Sequence, residues 1–143
     1  MKRSFRTVRV SEVMTTAPVT VGPEDSLQHA LDLLDKYHVH ELPVVEHGRL
    51  IGIVTDGDLK FFTPAYPLFR DQEELRQALR ELTVAEAMTV EPVSINPQAT
   101  LLEATKLMHD NSIGALLVAE GEKLFGILAV SDILRMVIEQ YET

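Results

Sequence analysis

Thr55 and Asp58, three residues apart in the stretch GIVTDGDL, are the side chains of this sequence best suited to holding a ligand. The stretch runs from an apolar, β-branched segment suited to a buried strand into a helix whose first turn takes in the aspartate. An ionised carboxylate is a pure acceptor with two oxygens. It suits paired hydroxyl donors such as the vicinal diol of a ribose, and it repels phosphate. A threonine hydroxyl one turn earlier is a donor, and the free amides of a helix N-terminus favour an anion. A sugar on Asp58 with a phosphate near Thr55 is therefore a permitted division of labour. The plainer alternative is that Asp58 only stabilises the helix, through the dipole and the free amides.

A second junction, GILAVSDI, repeats the glycine and the aspartate as Gly126 and Asp132, but Ala129 stands where the hydroxyl was. Ser131 could donate in its place or serve as the N-cap of the helix that follows. One hydrogen bond to a charged group is worth about 1.5–3 kcal/mol. The two junctions are thus expected to differ roughly tenfold or more in affinity for a phosphorylated ligand, the Asp132 junction being weaker or taking a less charged one. His38 and His40 would share one face of an extended segment, which is half of a metal site at most. With no cysteine in the chain and no third ligand at a suitable spacing, a metal is not expected.

These junctions belong to a duplication. Residues 10–59 slide onto 84–133 without a gap at an offset of 74, with seventeen identities in fifty positions, among them Met14-Thr15 with Met88-Thr89. About three would be expected by chance from ordinary residue usage. Each copy reads as β-α-β-β-α. It has a short strand lead at Pro18–Val21, a turn at Gly22-Pro23 and a helix from about Ser26 with Leu27, Ala30, Leu31 and Leu34 in one stripe. A strand Glu41–Val45, a turn at His47-Gly48, a strand Leu50–Thr55 and a last helix near Asp58 follow. In the second copy Thr100 and Glu103 form a capping-box pattern, and the last helix runs from about Ser131 to Tyr141. The fold class is α+β, with repeat one over 1–62 (including a short basic tail), a connecting segment with a helix over 63–82, and repeat two over 83–143. Fifty residues bury a poor core alone, so the two copies are expected to pack together. Phe61, Phe62, Tyr66 and Phe69 gather in the connection, either as a core cap or as a partner surface.

A net charge of −9 argues against a nucleic-acid partner. No apolar run approaches the ~18 residues of a membrane span, and the basic start MKRSFRTVRV has no apolar run behind it. No membrane partner is expected, and a cytoplasmic location follows by default. No nucleophile elbow, P-loop, HExxH or Rossmann glycine pattern occurs, so an enzyme is not expected.

The tandem copies, with VMT, PVTV, HELPVVE and GIVTDGDL in order, resemble cystathionine-β-synthase-type (CBS) domains, and the pair resembles a Bateman module. The long central connection is similar to that of the acetoin-utilisation type. The resemblance implies two repeats related by a pseudo-twofold axis, with clefts between them for AMP, ADP, ATP or S-adenosylmethionine. It also implies no required cofactor, a homodimer, and a regulatory role toward a protein the sequence does not identify; the alternative, to which Ala129 lends support, is a structural or interaction protein with vestigial clefts that acts through dimerisation. In the family the G-x-x-T-x-x-D pattern binds the ligand, and Gly52, Thr55 and Asp58 match it; Gly126 and Asp132 match it without the hydroxyl. Composite family sites imply that the base is held by the lead-ins Thr16-Ala17-Pro18 and Val90-Glu91-Pro92 and by the approaches Val39-His40-Glu41 and Ile113-Gly114-Ala115. His40 matches a position that donates to ligand phosphate in some members, and Glu91 adds a negative charge to its lead-in that would discourage phosphate there.

Overall fold

A computed structural model describes residues 4–61 and 71–142, the side chain of Phe61 excepted. Lys2 and Arg3 of the basic tail, the Thr63-Pro64 and Tyr66-Pro67 breaks, and Phe62, Tyr66 and Phe69 lie outside the described residues, so neither reading of the aromatic group is addressed. In chain order the described elements are a 3-10 turn (Val10–Glu12), β1 (Thr15–Thr16), α1 (Leu27–Tyr37), β2 (Glu41–Glu46), β3 (Arg49–Thr55), α2 (Asp56–Phe61), α3 (Gln72–Glu81), α4 (Val84–Ala87), β4 (Thr89–Val90), β5 (Ser94–Ile95), α5 (Leu101–Asn111), β6 (Ala115–Glu120), β7 (Lys123–Ala129) and α6 (Val130–Tyr141).

Two compact units emerge, and their borders differ from those of the sequence repeats. One is continuous, Val19–Pro92; the other joins Met1–Pro18 to Val93–Thr143. In the continuous unit α1 starts at Ser26, whose side chain accepts from the His29 amide. It ends at His38, which is left-handed (φ 54) rather than extended. His38 and His40 therefore do not share a strand face. The β2–β3 hairpin turns through His47 (φ 51) and Gly48 (φ 78), the positive pair that a tight two-residue turn demands. β4 adds to the free side of β3 to give the order β2-β3-β4. Leu27, Leu42, Val44, Val54, Leu59 and Val84 form its core beneath α1.

The discontinuous unit repeats the plan with a four-stranded sheet, β1-β7-β6-β5. The capping box at α5 is present, with the Glu103 amide donating to Thr100 Oγ1 at 3.1 Å and the Thr100 amide to Glu103 at 3.2 Å. Ser94–Ile95 form a true parallel strand against β6, whereas in the other unit the equivalent lead reduces to a single bridge, Val21 to Val44. Val8 and Val10, from the start of the chain, sit fully inside this core with Leu101, Leu116, Leu128, Ile133 and Met136.

The repeated Met-Thr pairs now have a reason. Thr15 pairs with Ile127 and Thr89 with Ile53, so each lead-in lies along the strand that carries the other repeat's junction. A Cβ on Gly126 would stand 2.5 Å from the Thr15 carbonyl oxygen, and one on Gly52 would stand 2.8 Å from that of Thr89. The two shared glycines are therefore required by close backbone approach.

Candidate functional site: two unequal strand-to-helix junctions

In the continuous unit the junction begins where β3 ends. The Thr55 amide donates to Asp58 Oδ2 at 2.9 Å, and the Asp58 amide donates to Thr55 Oγ1 at 3.1 Å. This reciprocal pair is a capping box. It explains why α2 starts at Asp56, two residues before the position expected from sequence. The helix-stabilising role of Asp58 is therefore real, yet the pair keeps two functional atoms in reserve. Thr55 Oγ1 accepts and so retains its own O–H to donate, and Asp58 Oδ1 has no hydrogen bond among the described residues.

Around this pair stand His40, Glu41 and Asp56. His40 Nδ1 lies 2.9 Å from Asp56 Oδ2, and the Asp56 amide donates to the His40 carbonyl at 2.9 Å. Glu41 is the register partner of Thr55. Its half-buried carboxyl is held above its ordinary pKa by desolvation, with His40 pulling the other way and Asp56 adding to the rise. Val39, half-buried, is fastened to the end of α1 by its amide to the Leu34 carbonyl. The lead-in brought to this sheet is Val90-Glu91-Pro92. Val90 pairs with Gly52, and the chain leaves the sheet at Glu91 (φ 50). Thr55 is three residues further along β3, about 10 Å by strand rise, so Glu91 is not beside the Thr55 hydroxyl.

The second junction has the same backbone and almost none of the polarity. Ala115 pairs with Ala129, and the Val130 amide donates to the Gly114 carbonyl at 3.0 Å. His40, Glu41, Thr55 and Asp56 are thus replaced by Gly114, Ala115, Ala129 and Val130. Ile113 is half-buried and holds the Met108 carbonyl through its amide. Thr16 pairs with Gly126, Ala17 turns away with φ 47, and Pro18 closes the unit. The predicted residues therefore sort into two sets. Val39, His40, Thr55 and Asp58 belong to one junction. Thr16, Ala17, Pro18, Ile113, Gly114, Ala115, Ser131 and Asp132 belong to the other.

Ser131 is not the N-cap of α6; Ala129 holds that position, and Ser131 lies exposed inside the first turn. The helix starts early for the same reason as in the first copy, because the Asp132 carboxylate caps the Ala129 amide at 2.9 Å. Two residues escaped the sequence reading. Asp56 becomes a partner of His40 only through the hairpin register, which no local pattern announces. Arg135, which reaches Asp132 at 3.0 Å, carried a visible signal in its i, i+3 spacing from the aspartate. Among the described residues no group of three or more His, Cys, Asp or Glu is placed to hold a metal, and no helix is long and apolar enough to cross a membrane. A surface depression of about 450 Å³ lined by Asp71, Glu73, Glu74 and Gln77 shares no residue with either junction.

Comparison with known proteins agrees with this architecture. The chain is 36% identical over 87% of its length to the CBS domain-containing protein YhcV of Bacillus subtilis, covering 81% of that protein. A putative acetoin utilization protein (AcuB) from Vibrio cholerae superposes with a TM-score of 0.78 at 27% identity, over 94% of this chain and 93% of the other. CBSX2, solved in complex with AMP, superposes with a TM-score of 0.79 at 27% identity, over 94% and 99%. The CBS-domain family model matches residues 10–63 and 84–139, so the two sequence repeats are CBS domains and the chain belongs to the CBS-domain family.

Proposed function

We propose that this protein is a regulatory module, not an enzyme, that senses an adenosine nucleotide through the Thr55–Asp58 junction. One observation carries the reading: after both residues have served the helix, Asp58 keeps a carboxylate oxygen with no hydrogen bond among the described residues, and Thr55 keeps its hydroxyl proton to donate. The oxygen accepts from a ribose hydroxyl, the proton goes to the α-phosphate, and the His40 imidazole stands beside the pair as a further donor. The backbone of Val39-His40 and of the Val90–Pro92 lead-in borders the base. AMP is the first ligand to try, since CBSX2 was solved with it, and ADP, ATP and S-adenosylmethionine are the alternatives. No cofactor is required by this reading, and the regulated protein is a separate question.

Calorimetric titration with AMP tests it. The wild type binds, and Asp58→Ala weakens binding at least tenfold, the loss expected for one hydrogen bond to a charged group. Thr55→Ala has a smaller effect on adenosine than on AMP. Unchanged AMP affinity in Asp58→Ala sinks the reading.

A ligand signals only if it favours one arrangement over another, and α6 supplies a surface through which arrangement can matter. Leu134, Val137, Ile138 and Tyr141 are all exposed and recur at i, i+3, i+4 and i+7, opposite the buried Ile133 and Met136. Such a stripe is its own complement when two helices meet about a twofold axis. A homodimer formed through α6 is the second part of the proposal.

A further inference from the structure

The two aspartates differ in what remains of the carboxylate once the helix has been capped. Asp58 is half-buried and, among the described residues, gives only Oδ2 to the chain. Asp132 gives Oδ2 to the Ala129 amide at 2.9 Å and Oδ1 to the Arg135 guanidinium at 3.0 Å. Its side chain is 7% exposed, while that of Arg135 is 59% exposed. At the offset of 74, the residue equivalent to Arg135 in the first repeat is Phe61, which has no charge to offer.

The surroundings sharpen this difference. Gly114, Ala115, Ala129 and Val130 present no side-chain acceptor to draw the guanidinium away from Asp132. A charge-assisted bond from Arg to a largely buried carboxylate is among the stronger polar contacts. A ribose hydroxyl, a neutral donor, competes poorly for the same oxygen.

The geometry points to Arg135 as a specificity-determining latch that occupies the diol acceptor of the Asp132 junction and so holds that junction below the Asp58 junction in nucleoside affinity. The loss of the threonine hydroxyl is then only part of the asymmetry. Replacing Arg135 exposes Oδ1 and produces the state Asp58 already has. This inference rests on the ribose role given to the junction aspartates above, and the test separates the two.

AMP titration by calorimetry is carried out on the wild type, Asp58→Ala, the double variant Asp58→Ala/Arg135→Met, and that double variant with Asp132→Ala added. Asp58→Ala silences the first junction, so heat in the double variant reports the second. The latch predicts at least tenfold tighter binding in the double variant than in Asp58→Ala, lost again with Asp132→Ala. If the wild type binds through Asp58 but the double variant binds no better than Asp58→Ala, the latch is overturned and the proposed function stands. If the wild type shows no Asp58-dependent binding but the double variant binds through Asp132, the latch stands and the Asp58 reading falls. If none of the four binds AMP, both fall. Arg135→Gln, which keeps a polar side chain without the charge, replaces Arg135→Met should circular dichroism show that variant unfolded.

Discussion

At the residue scale, Glu41 offers a test that needs no ligand. Burial holds its carboxyl above the ordinary value, with His40 opposing and Asp56 reinforcing. The folded protein therefore keeps this proton to higher pH than the unfolded chain does. Between the unfolded and the raised folded pKa the native state binds more protons, so stability falls as pH rises through that window. Glu41→Gln removes the titration. Urea unfolding at pH 4 and pH 7 should show the wild type gaining on Glu41→Gln as pH is lowered; an equal difference at both pH values contradicts the burial argument. The residues also show what a sequence can and cannot disclose. Thr55 and Asp58 were legible because a strand-to-helix turn with a hydroxyl and a carboxylate three apart is a local pattern. The His40–Asp56 pair was not, because it depends on which residues of β2 and β3 face each other. Ser131 misled because a serine near a helix start suggests a cap, while here the carboxylate of Asp132 reaches back to Ala129.

At the element scale, α6 carries one apolar face in the core and another exposed to solvent. The inner face holds Ile133 and Met136 in the core; the outer presents Leu134 and Ile138 at 55% and 53% exposure. An exposed stripe of this kind marks an interaction surface more often than chance. Leu134→Glu places a charge at its centre without touching the core. Light scattering after size exclusion should find the wild type as a dimer and Leu134→Glu as a monomer with unchanged helix content. A monomeric wild type removes α6 as the dimer surface. The lead-in strands make a different point. The Met-Thr repeat was plain in the sequence, but its purpose was not, since close contact between β1 and Gly126 joins positions more than a hundred residues apart.

At the scale of the whole molecule, the sequence repeats and the compact units partition the chain differently. The discontinuous unit needs Val8 and Val10 for its core, the Val8 and Ala99 carbonyls tied to the Leu101 and Val10 amides, and β1 along β7. A fragment cut at the repeat border, residues 83–143, lacks all of these. It is expected to be unfolded or molten, whereas the same fragment joined by a flexible linker to residues 1–18 recovers cooperative unfolding. Amide exchange on the two fragments distinguishes these outcomes, and full protection in residues 83–143 alone contradicts the assignment. The element order was legible from periodicity and duplication; the membership of residues 1–18 was not, because periodicity describes neighbours along the chain and this contact is remote.

The exchanged lead-ins also bear on what one repeat can do without the other. Each Met-Thr lead lies on a glycine of the other copy, so one repeat made alone meets its glycine with a lead only by folding back its own or by taking one from a second molecule. The second route is domain swapping. Carrying both copies on one chain turns that exchange into a contact within one molecule. It also lets the paired junctions differ, one with a threonine and the other with an arginine, whereas two identical copies in a symmetric pair always carry the same residues.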